Sequence, residues 1–296
     1  MTDFDLYLKP IGMEESILYG HSGYLWLKEE IERLLRGGYE KLVTQKTNAK
    51  KVGLYLSVNA IPEVDQTQAP NERIRSLEEI GAAFTQSLKE GEVTQSCAHR
   101  ASKIARSISS CLLEEKESIN SLKPMLEKDR YVLHHSVRVS CYAVAIAVTL
   151  GLEDETHLTD IALGGLFHDI GKANIDKGIL HKKGALTEKE WDEMRSHPTS
   201  GRKAVENTFL GEIPKNIIEC HHERIDGTGY PNGYQRSQIP IETQLVTLAD
   251  IYDALTSARP YQKQRSRYES LEFIKTKMLG SHISPEIFMA LVNSMT

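Results

Sequence analysis

The chain has 296 residues, 40% hydrophobic and 26% charged, with 36 lysines and arginines against 41 aspartates and glutamates for a net charge of −5. This describes a globular protein of about two domains; it excludes a small disulfide-stapled scaffold and a disordered chain, and argues against broad binding to nucleic-acid backbones. Four cysteines without a CxxC pair give neither a disulfide framework nor a thiolate zinc site, which fits a reducing, cytoplasmic setting. The first ten residues, MTDFDLYLKP, lack the apolar stretch of a signal peptide. The longest apolar run, CYAVAIAVTLGL at 141–152, is too short to span a bilayer, so it reads as a buried helix and no membrane span is expected.

In chain order, residues 4–9 alternate apolar and polar up to Pro10, predicting a half-buried strand, and a second short strand is expected at 17–19. Leu27, Ile31, Leu34 and Leu35 predict an amphipathic helix closed by Gly37 and Gly38, followed by a strand at 41–45. Residues 52–60 fit either a strand or a helix. Together these elements make a small α+β module over residues 1–60.

The segment IPEVDQTQAPNE at 61–72 has two prolines and little to bury, so it reads as a linker and the domain boundary. Beyond it, Asn71 is expected to cap a helix whose inner face is Ile74, Leu77, Phe84 and Leu88, ended by Gly91. Ala101, Ile104, Ala105, Ile108 and Leu112 continue the helical period, so 61–120 reads as a linker with connecting helices. From there the chain is helical throughout. Thr187 and Glu190 form a T-x-x-E capping box, while Pro214 and Pro285 suit first helical turns. Gly164 and Gly165, just before His168, remove side-chain bulk so that another helix or a metal cluster can approach.

Nine of the 11 histidines lie from His134 onward. His135, His168-Asp169, His197, His221-His222 and Asp250 are separated each time by about one helix and its connection, so packed helices could aim them at one centre. Burying several unpaired imidazoles and carboxylates is costly, and a shared cation relieves that cost.

The runs HHSVRV at 134–139, LFHDIGK at 166–172, SHPTSG at 196–201, HHERIDGTGYP at 221–231 and LADIYDALTSARPY at 248–261 resemble the HD-GYP family, in order, over about residues 121–290. The resemblance implies a mainly α protein. An all-helical HD-type catalytic domain at 121–296 would hydrolyse cyclic di-GMP through a metal-bridged hydroxide. The resemblance leaves residues 1–70 largely unidentified; because no metal-type cluster, glycine-rich phosphate loop or nucleophile-base pair precedes the linker, the module at 1–60 is expected to be regulatory or sensory. Matched motif by motif, His135, His168, Asp169 and Asp250 would hold one metal, and Asp169 would bridge to a second held by His197, His221 and His222. Lys172 and Arg259 match positions that contact substrate phosphate, and Tyr230 offers a ring face for a guanine. Asp169 and Lys172 would thus carry the catalysis. Asp226 is expected to brace the glycine-rich loop, whereas Asp253 fits either a place behind the metal ligands or a helix surface.

Ligands limited to nitrogen and oxygen suit iron, manganese, nickel or cobalt, and iron is the cofactor expected. Two such cations can activate water and stabilise an in-line displacement at phosphorus. Tyr131 stands where relatives with a third metal carry an acid, so two metals are expected. Asp176 in place of a proline and Gln262 in place of a basic residue leave a second reading open, a weakly active ligand-binding or interaction module in cyclic di-GMP signalling. Diguanylate cyclase (GGDEF) proteins are candidate partners, and the helices between 71 and 128 could pair in a homodimer.

Overall fold

The computed structural model describes residues 2–9, 15–24, 28–37, 42–59, 61–62, 64–65, 67–68, 70–88, 93–114, 135–257 and 264–295. At the N-terminus, β1 (Leu6–Leu8) is the centre of an antiparallel sheet of order β2-β1-β3, flanked by β2 (Ile17–Gly20) and β3 (Leu42–Val43). Helix α1 (Lys28–Arg36) lies between β2 and β3 in the chain. The ambiguous stretch after residue 52 is helical, within α2 (Ala49–Asn59). Phe4 packs edge-on against Tyr55 of α2 at 5.7 Å, which joins the sheet to that helix.

Two features of the region after residue 60 differ from expectation. Ile61 and Val64 are buried and belong to the same apolar core as the helices beyond them. Arg100, itself buried, donates to the carbonyls of Ile61 and Pro62, so this polar-looking stretch is pinned by a residue far along the chain. Helix α3 (Pro70–Ser87) starts at Pro70, which places Asn71 inside the first turn and not at the cap. A proline fits there because a first-turn N–H has no helical acceptor. The expected stop at Gly91 lies outside the described residues, as do Tyr131, Arg259 and Gln262.

Helix α4 (Gln95–Glu114) follows, and its first turn is capped from the N-terminal module: Asp3 Oδ1 accepts from the Gln95 N–H at 2.7 Å. Further helices among the described residues are α5 (His135–Thr149), α6 (Glu155–Phe167), α7 (Lys177–Leu180), α8 (Glu188–Arg195), α9 (His197–Val205), α10 (Glu212–Cys220), α11 (Ile241–Thr256), α12 (Arg267–Lys277) and α13 (Pro285–Met295), with a 3-10 turn (Ile170–Asn174) between α6 and α7. Central in this set is α6, packed against α4, α5, α10 and α11. It is buried at Leu158 and from Ile161 through Phe167, as expected of its second half, which is apolar on every side.

Close packing around α6 uses both of its glycines. A Cβ on Gly164 would fall 2.5 Å from Ile217 of α10, and one on Gly165 would fall 2.9 Å from the Ser140 backbone of α5. These short approaches bring the ends of α5, α6 and α10 together. Among the described residues, no helix is long and apolar enough to cross a membrane.

Candidate metal centre

Three of the ligand candidates sit at helix ends, while Asp250 lies within α11. His168 follows the last residue of α6 and His221 follows the last residue of α10, while His197 opens α9 just beyond α8; His135 is the first described residue of α5. A helix leaves its final carbonyls without amide partners. Three of these imidazoles fill that need: Nδ1 of His168 donates to Gly165 at 2.8 Å, Nδ1 of His197 to Met194 at 2.8 Å, and Nδ1 of His221 to Ile218 at 3.0 Å. Each bond fixes the tautomer, because a carbonyl only accepts. The Nε2 lone pair of each ring is thereby left for something else.

Those lone pairs converge on Asp169, whose two oxygens face different partners. Oδ1 lies 3.5 Å from His197 Nε2 and 3.9 Å from His221 Nε2. Oδ2 lies 3.4 Å from His168 Nε2 and 3.8 Å from His135 Nε2, and accepts from Lys172 Nζ at 2.6 Å. Asp250 Oδ1 is 3.1 Å from His135 Nε2. His222 completes the first group, its ring 4.2 Å from that of His221 and 5.0 Å from that of His197. Two metal-sized sets result, Asp169-His197-His221-His222 and His135-His168-Asp169, with Asp169 common to both.

The residues fit cations. His168 Nε2 and Asp169 Oδ1 are buried with no hydrogen-bond partner among the described residues, a costly arrangement for groups that are otherwise ideal ligands. His197 Nε2 and His221 Nε2 face each other at 3.3 Å although both rings already donate through Nδ1. Two nitrogens bound about 2.1 Å from one ion would stand about 3.0 to 3.4 Å apart, so a shared cation resolves that conflict of lone pairs.

Electrostatics favour the ligating protonation states in most of the cluster. Burial drives the His221 and His197 imidazoles below their ordinary value and that of His222 down to about 4, so these rings are neutral near pH 7. Burial also works against the Asp169 carboxylate, but Lys172, His168 and His135 outweigh it and hold that carboxyl well below the usual range. His135 behaves oppositely to its neighbours. Burial lowers it, yet the hydrogen bonds to Asp250 and Asp253 raise it to about 9.

The wall beside the centre is the segment after His222. Tyr230 stacks on His222 at 4.8 Å and 27°, and its N–H donates to the His222 carbonyl. Burial and the charges of Asp169 and Asp250 push the Tyr230 hydroxyl up, which keeps it protonated as a donor. Asp226 makes a local turn with Thr228, at 2.9 Å to its N–H and 2.7 Å to its hydroxyl, consistent with bracing the loop. Asp176, in the place of a proline, caps α7 through the Gly178 N–H at 2.7 Å, and its own N–H donates to Glu193. That loop is therefore held by hydrogen bonds.

Asp253, which the sequence left between two readings, and two residues beyond the expected set, Arg138 and Glu223, shape the site. Asp253 is 1% exposed and accepts from His135 Nδ1 at 2.7 Å, which excludes the helix-surface alternative. Arg138, one turn after His135, grips that same carboxylate. Glu223 is buried and accepts from the Asn232 and Tyr234 N–H groups at 2.7 and 3.0 Å, tying down the loop that carries Tyr230. A readable signal existed for Arg138 in its i+3 spacing from His135. Glu223 had only its place after two histidines.

The HD domain family pattern matches residues 120–287. The cyclic di-GMP phosphodiesterase PA4108 of Pseudomonas aeruginosa is 35% identical over 195 residues, 66% of this chain and 46% of the relative. A 3'3'-cGAMP-specific phosphodiesterase, number 3 of Vibrio cholerae, is 34% identical over 164 residues, 55% of this chain and 35% of the relative. The chain thus spans less than half the length of these relatives. Among solved structures, Bd1817, an HDG"Y"P protein from Bdellovibrio bacteriovorus, superposes with a TM-score of 0.64 at 20% identity, over 98% of this chain and 94% of that one, a likeness of fold.

Proposed function

The chain belongs to the HD domain family, and from that premise we propose that it is a metal-dependent phosphodiesterase that hydrolyses cyclic di-GMP. One observation carries the reading: Asp169 turns its two oxygens toward two separate sets of imidazoles whose free nitrogens are all Nε2. This is the arrangement of a carboxylate shared by two ions. The similarity to a cyclic di-GMP phosphodiesterase at 35% identity supports the substrate class.

His135, His168, Asp169 and Asp250 would hold one ion and Asp169, His197, His221 and His222 the other; an all nitrogen-oxygen set suits iron, manganese, nickel or cobalt, and we assign iron. Such a pair supplies Lewis acidity at the phosphoryl group and activates water at neutral pH. The chain's own groups do the rest. Lys172 Nζ, part-exposed beside Asp169, supplies a positive charge to a phosphate oxygen. Tyr230, stacked on His222, offers a hydroxyl proton and a ring edge to the nucleotide, and Arg259 supplies a second phosphate contact. Residues 1–60 regulate, acting on the helical domain through the Asp3 cap of α4.

The test is hydrolysis by the full chain, loaded with ferrous iron or with manganese, of cyclic di-GMP, 3'3'-cGAMP and a linear dinucleotide, with products resolved chromatographically. Metal-dependent loss of cyclic di-GMP, abolished in Asp169→Ala, is the expected result. Preference for 3'3'-cGAMP would move the substrate assignment to the mixed dinucleotide. A folded, metal-loaded chain that leaves all three intact refutes the proposal.

A further inference from the structure

We propose that Asp253, clamped by Arg138, is a positioning residue for His135 that makes the two halves of the centre unequal, so that the His135 half takes up a hard divalent cation before the His197 half. The inference rests on the two-metal reading above and deepens it.

The two halves differ in what stands behind their imidazoles. Nδ1 of His168, His197 and His221 donates to neutral backbone carbonyls. Nδ1 of His135 alone in that group donates to a carboxylate, Asp253 Oδ2 at 2.7 Å. A carboxylate behind a ligating imidazole fixes the ring and strengthens its donor nitrogen more than a carbonyl does. Asp253 is buried and has little freedom: Arg138 donates to both of its oxygens, at 2.9 Å from Nη2 to Oδ2, and the same Nη2 reaches Ser257 Oγ at 3.0 Å.

The geometry follows from two packed helices. His135 and Arg138 are i and i+3 on α5, and Asp250 and Asp253 are i and i+3 on α11, which packs against α5. Residues at that spacing share a face. Helix α11 therefore delivers one carboxylate to His135 Nε2, at 3.1 Å from Asp250, and a second behind the same ring.

Direct negative charge is correspondingly lopsided. The His135 half has Asp250 and Asp169 Oδ2, whereas the His197 half has three imidazoles and Asp169 Oδ1. Besides the ligands themselves, two cations oppose this on the rich side. Arg138 lies behind Asp253, away from the ligand atoms, and Lys172, 37% exposed, can swing into solvent when an ion arrives. Oxygen-rich sites favour harder ions such as Mn²⁺, and imidazole-rich sites favour ions later in the first-row series.

The experiment titrates the metal-stripped full chain with Mn²⁺, followed by calorimetry and by the electron paramagnetic resonance of free Mn²⁺. Wild type is expected to bind in two unequal steps. Asp253→Asn should weaken the tighter step about 10- to 100-fold and leave the weaker one unchanged. Because the amide leaves the Arg138 charge behind, the double variant D253N/R138Q, which removes both charges, carries the same test should the single variant fail to fold. Two equal steps in wild type, or equal weakening of both steps in a folded variant, overturn the inequality and reduce Asp253 to a structural residue. A wild-type chain that takes up no Mn²⁺ and no Fe²⁺ refutes the metal-centre reading itself, a separate failure.

Discussion

Gly171→Ala is the sharpest test of how the centre is assembled, because the obstacle it creates is backbone and cannot rotate away. Gly171 lies in the turn between Asp169 and the start of α7, packed against α9. An added Cβ would stand 1.9 Å from the His197 carbonyl oxygen and 2.6 Å from the Gly201 nitrogen, where ordinary contact begins at 3.4 Å. Helix α9 must therefore retreat by about 1.5 Å, the shortfall to ordinary contact. His197 Nε2 now lies 3.5 Å from Asp169 Oδ1, and the shift carries it toward about 5 Å. Two ligands on one ion, each about 2.1 Å away, can be at most about 4.2 Å apart, so the His197 half should lose its metal. Overpacking of this kind costs about 1 to 3 kcal/mol, and rigid neighbours place it at the upper end. At roughly 2 to 4 °C per kcal/mol, the midpoint of unfolding should fall by about 6 to 12 °C. Gly53→Ala is the control, in α2 with nothing within 4 Å of the new Cβ, and should be neutral or stabilising by up to about 1 kcal/mol. Thermal unfolding by circular dichroism and metal content by elemental analysis read both effects. A Gly171→Ala protein that matches wild type in midpoint and retains two ions would refute the packing described here.

Asp169→Ala should reduce bound metal from two ions toward none, together with activity, since both oxygens are used; elemental analysis that still finds two ions would remove the shared carboxylate. Glu223→Ala should leave metal content unchanged but free the Asn232 and Tyr234 amides, at about 1.5 to 3 kcal/mol for each charge-assisted bond lost, seen as faster hydrogen exchange over residues 227–236. Metal uptake should also depend on pH with a defined sign. With His135 raised to about 9, the metal-free chain carries a proton there at pH 7, whereas His222, lowered to about 4, does not. Binding must expel the His135 proton, so affinity should rise about tenfold per pH unit up to about pH 9 and level off above it. Calorimetry in buffers of different ionisation enthalpy should find at least about one proton released per chain at pH 7, from His135 with any from activated water in addition, and a value of zero would contradict the His135 assignment.

Much of the chemistry was legible in residue type and order. The histidines and aspartates recur at helix-length intervals, and the helical period of residues 101–112 and the capping box at Thr187 are local patterns that need no partner to be read. So is the apolar run at 141–152, which demands a buried helix whatever surrounds it and forms most of α5. Local pattern also explains why these imidazoles end as lone-pair donors, because each sits three residues after a carbonyl in a terminal helical turn.

Only the tertiary structure decided the rest. Asp253 on α11 could have faced water; it became the partner of His135 because α5 packs there with Arg138 to hold it. Residues 61–72 look like a linker by composition, yet Ile61 and Val64 are buried, since Arg100, 39 positions beyond Ile61, takes up the carbonyls that burial would otherwise strand. Asp169 is one carboxylate in sequence and a two-sided one in space, because the 3-10 turn and α9 bring His197 to one oxygen while α5 and α6 bring His135 and His168 to the other. Periodicity records how a residue sits on its own helix. Which oxygen meets which nitrogen depends on the approach of a second helix, and that is set by side-chain volumes distant in the chain, down to the missing Cβ atoms of Gly164, Gly165 and Gly171.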